Sequence, residues 1–198
     1  MGRYTVIVTG ASGSAYGMRA VEQLLVGGHE VTLLMTDAGR EVTAFELGFD
    51  LPLEDPVDEL LRFLEITGTV SLRVACCHDL FDPLASGSHP SDGTLVAPAS
   101  MGFCAAVAAG TSTNLPERVA DVTLKERRPL VMVVRETPLS LIHLRNLTTL
   151  AESGASIIPA CPAFYHRPVT IDDQVNYVVG KALDVLGVEH GLLKRWGE

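Results

Sequence analysis

Residues 4–14, Tyr4-Thr-Val-Ile-Val-Thr-Gly-Ala-Ser-Gly-Ser14, pass from a β-branched run into a glycine-punctuated turn. Tyr4–Thr9 suits a short strand buried on both faces. Beyond the turn, Met18, Val21, Leu24 and Leu25 recur at helical spacing between Ala15 and Val26, and Gly27-Gly28 stops that helix. Glu30–Met35 repeats the strand pattern. Asp37 is placed to cap a helix running through Val42 and Phe45 to Leu47. Strand, turn, helix and strand in this order open a parallel α/β sheet.

The pattern continues outward. Asp55–Glu65 reads as an amphipathic helix and Val70–Cys76 as a strand, followed by a long surface loop over His78–Gly93. Thr94–Ala97 is a buried strand that leaves through Pro98-Ala-Ser100 into a helix of small residues, Met101–Ala109. Leu130–Val134 is the clearest central strand. Leu139–Glu152 is a helix ended by Gly154, Ala155–Ile158 a further strand, and the last helix begins near Asp172. There Thr170 and Asp173 have capping-box spacing. The expected fold is a doubly wound, Rossmann- or flavodoxin-like, mostly parallel sheet with helices on both faces, one domain over residues 1–198. Such sheets bind ligands at the carboxyl ends of their strands. Gly10–Ser14, Thr36–Asp37, Pro98–Phe103 and Arg135–Pro138 all fall there.

Composition narrows the function. The 198 residues are 47% hydrophobic and 20% charged, enough for one full core and unlike a disordered chain. No apolar run reaches the length of a membrane span, and no signal-peptide pattern opens the sequence, so a soluble, cytoplasmic protein is expected. A net charge of −9 argues against a nucleic-acid binder. A small anionic ligand needs only a local cationic pocket. The four cysteines, Cys76, Cys77, Cys104 and Cys161, form no CxxC and read as buried thiols in a reducing compartment.

Several segments admit both a structural and a chemical reading. Gly10-Ala-Ser-Gly13 joins a strand to a helix; that helix N-terminus, with Ser12, could equally seat a phosphate. Neither GxGxxG nor a P-loop lysine is present. Ser100-Met-Gly-Phe103 is either a plain N-cap or a second set of amides for a ligand. Arg135-Glu136 is either an edge ion pair or an anion-binding cation beside a proton-transferring carboxylate. Lys125-Glu-Arg-Arg128 is a solvated helix end or a phosphate clamp. Ala163–Pro168 is an anchored loop or a clamp over a ligand. Asp172-Asp173 is explained by the capping box. The six histidines show no HxxxH or HExxH spacing, so no metal site is expected. The GxSxG elbow is absent.

Taken together, these blocks resemble the UbiX/Pad1-type flavin prenyltransferase family over nearly the whole chain. The resemblance rests on Thr9-Gly-Ala-Ser-Gly13 with Tyr16-Gly17, Ala85-Ser-Gly-Ser88, Pro98-Ala-Ser-Met-Gly102, Asn114-Leu115 with Glu117-Arg118, and Ala120-Asp121. It continues through Leu124-Lys-Glu-Arg-Arg-Pro129, Arg135-Glu-Thr-Pro138, His143-Leu144, Pro162 with Phe164-Tyr-His166, and Arg195-Trp-Gly-Glu198. It implies an enzyme that transfers a dimethylallyl group from dimethylallyl monophosphate to N5 and C6 of reduced FMN without a metal. The product, prenylated FMN, is the cofactor of UbiD-type decarboxylases. It also implies dodecamers with sites formed between subunits.

Carried over position by position, the resemblance assigns Gly10, Ala11, Ser12, Thr36, Ser100, Met101, Gly102, Phe103 and Arg135 to FMN. Lys125, Arg135, Tyr165 and Lys181 would hold the donor phosphate, with Arg118 close by and Trp196 over the site. Glu46 and Glu136 would be the acid/base carboxylates, with Ser12 relaying between Glu136 and the flavin. Phe103, Leu80, Lys181 and Thr36 stand where the family often has threonine, an aromatic residue, arginine and serine. Two other classes remain alternatives: a flavin-dependent cysteine decarboxylase, and a flavin carrier or accessory subunit of an aromatic acid decarboxylase. The residues Met101-Gly102-Phe103 lack the former's motif, and a carrier has no use for an acid/base pair beside a phosphate clamp.

Overall fold

A computed structural model describes residues 1–193 of the chain. Strands β1 (Arg3–Val8), β2 (Glu30–Met35), β3 (Ser71–Ala75), β4 (Gly93–Ala99), β5 (Leu130–Val134) and β6 (Ser156–Pro159) form one sheet in the order β3-β2-β1-β4-β5-β6. Every pairing is parallel. Helices flank the strands everywhere but between β3 and β4: α1 (Ser14–Val26), α2 (Asp37–Leu47), α3 (Pro56–Phe63), α4 (Met101–Ala108), α5 (Leu115–Lys125), α6 (Leu141–Glu152) and α7 (Ile171–Leu186).

Alternation along each strand explains why both faces are covered. Val6 and Val8 of β1 point into one core with Met18, Val21 and Leu24 of α1 and Val178, Val179 and Leu183 of α7. Ile7, one residue out of phase, enters the opposite core with Phe103 and Cys104 of α4 and Val119 of α5. β5 splits likewise, Val131 and Val133 to the first core, Leu130, Met132 and Val134 to the second. The chain order reverses between β1 and β4, and the crevice outside their carboxyl ends is where this topology binds ligands.

Local signals mostly set the boundaries. Thr170 and Asp173 form the expected capping box on α7, and a second joins Ser140 and His143 on α6. Gly154 takes a left-handed φ of 102° just beyond α6. Four readings change. Asp37 does not cap α2; Thr36 does, its Oγ1 accepting from Gly39 N at 3.0 Å, because Thr36 alone has the extended backbone of a cap. Pro98 lies inside β4 rather than beyond it, where a register shift between Val96 and Ala99 accommodates it. The loop after β3 contains a 3-10 turn, Pro83–Ala85, capped by Asp82, which also pairs with Arg73. Helix α5, not assigned from the sequence, is capped by Asn114. Among the cysteines, Cys77 and Cys104 are buried as expected, but Cys76 and Cys161 are exposed because both lie in loops after edge strands.

Candidate flavin site at the switch point

Thr9, at the end of β1, is 1% exposed and ties the two halves of the crevice together. Its amide and hydroxyl both donate to Pro98 O, at 3.2 and 2.7 Å, and its Oγ1 accepts from Ser100 N at 2.8 Å. Ser100 is therefore fixed where it caps α4, its Oγ accepting from Phe103 N at 3.3 Å. A methyl at Gly102 would meet nothing within 4 Å, so this helix N-terminus faces open space. A methyl at Gly10, by contrast, would come within 2.6 Å of Ala38 Cβ, so the first turn is packed against α2.

Arg135 leaves β5 at the same edge, and its Nε donates to Ser12 O at 3.1 Å. Tyr16 lies beside it. Burial raises the Tyr16 pKa and Cys161 adds to the rise, while the Arg135 cation opposes both. Neither Tyr16 nor Cys161 was expected in the site; no spacing signal connects them, since they come from different crossovers. Glu136 follows on the exposed side, its Oε1 accepting from Thr137 N at 3.0 Å.

Glu46, expected as an acid/base carboxylate, reaches the turn after β1 from α2. From the last turn of α2 its Oε2 accepts from Gly13 N and Ser14 N, both at 2.9 Å. Burial opposes its ionisation, but bonds from Ser12, Gly13 and Ser14 outweigh that and hold its carboxyl below the ordinary range. A side-chain carboxylate thus takes the anion seat at the α1 N-terminus. Of the two readings open for that turn, the chain's own carboxylate now occupies its amides, and the α4 N-terminus is open. The Ser12 side chain bonds to Glu46.

Gly10, Ala11, Ser12, Thr36, Ser100–Phe103, Arg135, Glu46 and Glu136 are thus gathered along one edge. Tyr165 and Lys181 share a different cavity of about 390 Å³ with His166, Tyr177, Asp184 and His190. Tyr165 and Tyr177 hydroxyls lie 2.9 Å apart, and Lys181 is 4.0 Å from Asp184. Asn176 Oδ1, in the same wall, is buried without a partner among the described residues. Arg135 does not line this cavity.

Arg118 and Lys125 both lie on α5. Arg118 donates to Ala85 O at 3.0 Å and pairs with Asp121; Lys125 pairs with Glu126. Lys125 ends α5, whose last turn meets the start of β5, one strand length (about 17 Å) from Arg135 at its other end, whereas Arg118 sits in the first turn of the same helix. Trp196 lies outside the described residues. FMN fits the edge on chemical grounds: an open helix N-terminus, hydroxyls of Ser12 and Ser100, and the Arg135 cation in a protein of net charge −9.

A doubly wound sheet with convergent polar loops at its switch point defines a nucleotide-type α/β binding protein. The chain belongs to the Flavoprotein family, whose model matches residues 2–183, and within it to the UbiX-type flavin prenyltransferases. It is 48% identical to the flavin prenyltransferase UbiX of Alkalihalophilus pseudofirmus over 196 residues, 98% of this chain and 96% of the relative. Its fold matches the crystal structure of AnUbiX (PadA1) in complex with FMN and dimethylallyl pyrophosphate, with TM-score 0.88 and 35% identity over 99% of this chain and 97% of that one. It also matches a dodecameric FMN-dependent UbiX-like decarboxylase from Escherichia coli O157:H7, with TM-score 0.86 and 34% identity over 99% and 100% of the chains.

Proposed function

We propose that this protein is a flavin prenyltransferase that joins a dimethylallyl group, supplied as its phosphate ester, to N5 and C6 of FMN. The observation that carries this is the switch-point edge, where Arg135 bonds to Ser12 and Thr9 to Ser100, in a chain matching flavin prenyltransferases over 98% of its length. Reduced FMN, when bound, supplies an electron-rich ring that attacks the allylic carbon.

The protein's groups do the rest. The α4 N-terminus and Arg135 hold the flavin's anionic end. Lys181 and the Tyr165 hydroxyl take the departing phosphate, whose developing charge they stabilise. Glu136, exposed at the carboxyl edge, accepts the proton released on ring closure. Glu46, held ionised, fixes the Gly13–Ser14 turn.

We place Arg118 and Lys125 at the donor phosphate from a second copy of the chain. Exposed apolar side chains support such self-association: Leu139, Leu141, Ile142 and Leu144 stand uncovered around the start of α6, and Phe81 is 99% exposed. A dodecamer, as in the E. coli neighbour, is the assembly proposed. The product would serve a UbiD-type decarboxylase.

The test is a mass measurement. Protein supplied with FMN, reductant and dimethylallyl monophosphate or diphosphate should yield flavin heavier by one C5H8 unit. Unmodified flavin with both donors, beside an active control enzyme, removes the proposal and favours the carrier reading.

A further inference from the structure

The carboxylate of Asp37, released from capping α2 by Thr36, is bonded instead to residues at the end of β3. Its Oδ1 lies 3.1 Å from His78 Nε2 and 3.7 Å from Cys77 Sγ. All three donor atoms fall within 4.8 Å of one another. We propose that Asp37, Cys77 and His78 form a binding site for a zinc-class divalent cation.

The donor chemistry selects the metal class. One thiolate, one imidazole and one carboxylate are ligands for zinc rather than for magnesium or calcium, which take oxygen. The spacing fits as well. Ligand distances of about 2.0 Å for oxygen and nitrogen and about 2.3 Å for sulfur put tetrahedral neighbours about 3.3 Å (O to N) and 3.5 Å (O to S) apart. The observed 3.1 and 3.7 Å bracket those values. The remaining edge, between Cys77 Sγ and the exposed His78 ring, is within 4.8 Å.

Backbone bonds hold the ligands in place. Cys77 O accepts from Leu115 N at 2.8 Å, and Thr36 N donates to Val8 O at 3.0 Å, fixing the residue before Asp37. Cys77 is 8% exposed, while Asp37 and His78 face solvent. A cation therefore has an open approach, and its fourth position is left to water. On binding, the metal replaces the Cys77 thiol proton, which passes to solvent. Spacing along the chain could not show the site, because Asp37 lies 40 residues from Cys77. None of its ligands belongs to the proposed flavin or donor set, so it stands or falls independently of the prenyl transfer.

Cobalt titration of the metal-stripped full-length protein tests it. Wild type should develop a thiolate-to-cobalt charge-transfer band with the intense visible bands of tetrahedral cobalt, and zinc should abolish both. C77S should lose the charge-transfer band, whereas C76S and C161S keep it. D37N and H78Q, altered at exposed positions that leave folding intact, should each weaken binding by more than the roughly 10–100-fold typical of losing an outer-shell partner. No band in wild type overturns the proposal, as does a band that survives C77S. If C77S does not fold, cobalt affinity unchanged in both D37N and H78Q overturns it equally.

Discussion

The Arg135 guanidinium donates through Nε to the Ser12 carbonyl at 3.1 Å, joining two strand ends 123 residues apart in the chain. That bond orients a cation at the crevice without neutralising it. Replacing Arg135 by glutamine should leave folding intact and weaken FMN binding at least tenfold, in line with the ~1.5–3 kcal/mol of a hydrogen bond to a charged group. Fluorescence titration with FMN checks this.

Thr9→Val preserves shape but removes the hydroxyl that serves both Pro98 O and Ser100 N. It should destabilise the protein by about 1–3 kcal/mol, the range for leaving a buried polar group unpaired. Denaturant unfolding at equal slope is the measurement, and reduced FMN affinity should accompany it as Ser100 loosens.

Glu46 predicts a pH signature. Its carboxyl is held below its ordinary range in the fold, so its contribution is complete above the unfolded-state pKa and is lost as pH falls through the folded one. Wild type should therefore melt above Glu46→Gln at neutral pH. The difference should close in acid, below the ordinary glutamate range.

Two glycines should respond oppositely. A methyl at Gly17 runs into the Ala97 carbonyl and comes within 2.6 Å of Val8 Cγ2, so Gly17→Ala should cost about 1–3 kcal/mol through overpacking. Gly102 is helical with open space around it, so Gly102→Ala should stabilise the flavin-free protein by about 0.5–1 kcal/mol. It should also weaken FMN binding, since the methyl projects into the proposed cradle.

Lys181→Ala should raise KM for the prenyl phosphate about tenfold or more while leaving FMN affinity unchanged, because Lys181 lines a cavity that Arg135 does not share. Steady-state kinetics with each ligand varied separately make the comparison. Equal losses for both ligands place Lys181 in the flavin site instead.

The strand readings follow from burial pattern alone, and Leu130–Val134 coincides with β5 residue for residue. The Thr170–Asp173 box on α7 was equally legible, because a cap is a local interaction between neighbours in sequence. Asp37 misled for the opposite reason. Threonine and aspartate both cap helices, and only the backbone angles chose Thr36. The Lys125–Arg128 cluster was legible as charge but not as position; an α/β crossover puts the end of α5 at the opposite edge from Arg135.

Alternating strands and helices in the sequence, by themselves, determined a doubly wound sheet and the edge where its loops meet, because periodicity and turn chemistry act over a few residues. The motif blocks likewise pointed to flavin. Tertiary structure alone decided the partners: Glu46 on the α1 N-terminus, Tyr16 beside Arg135, and Asp37 against Cys77 and His78. Each is a through-space meeting of groups far apart in sequence, set by which strands lie side by side.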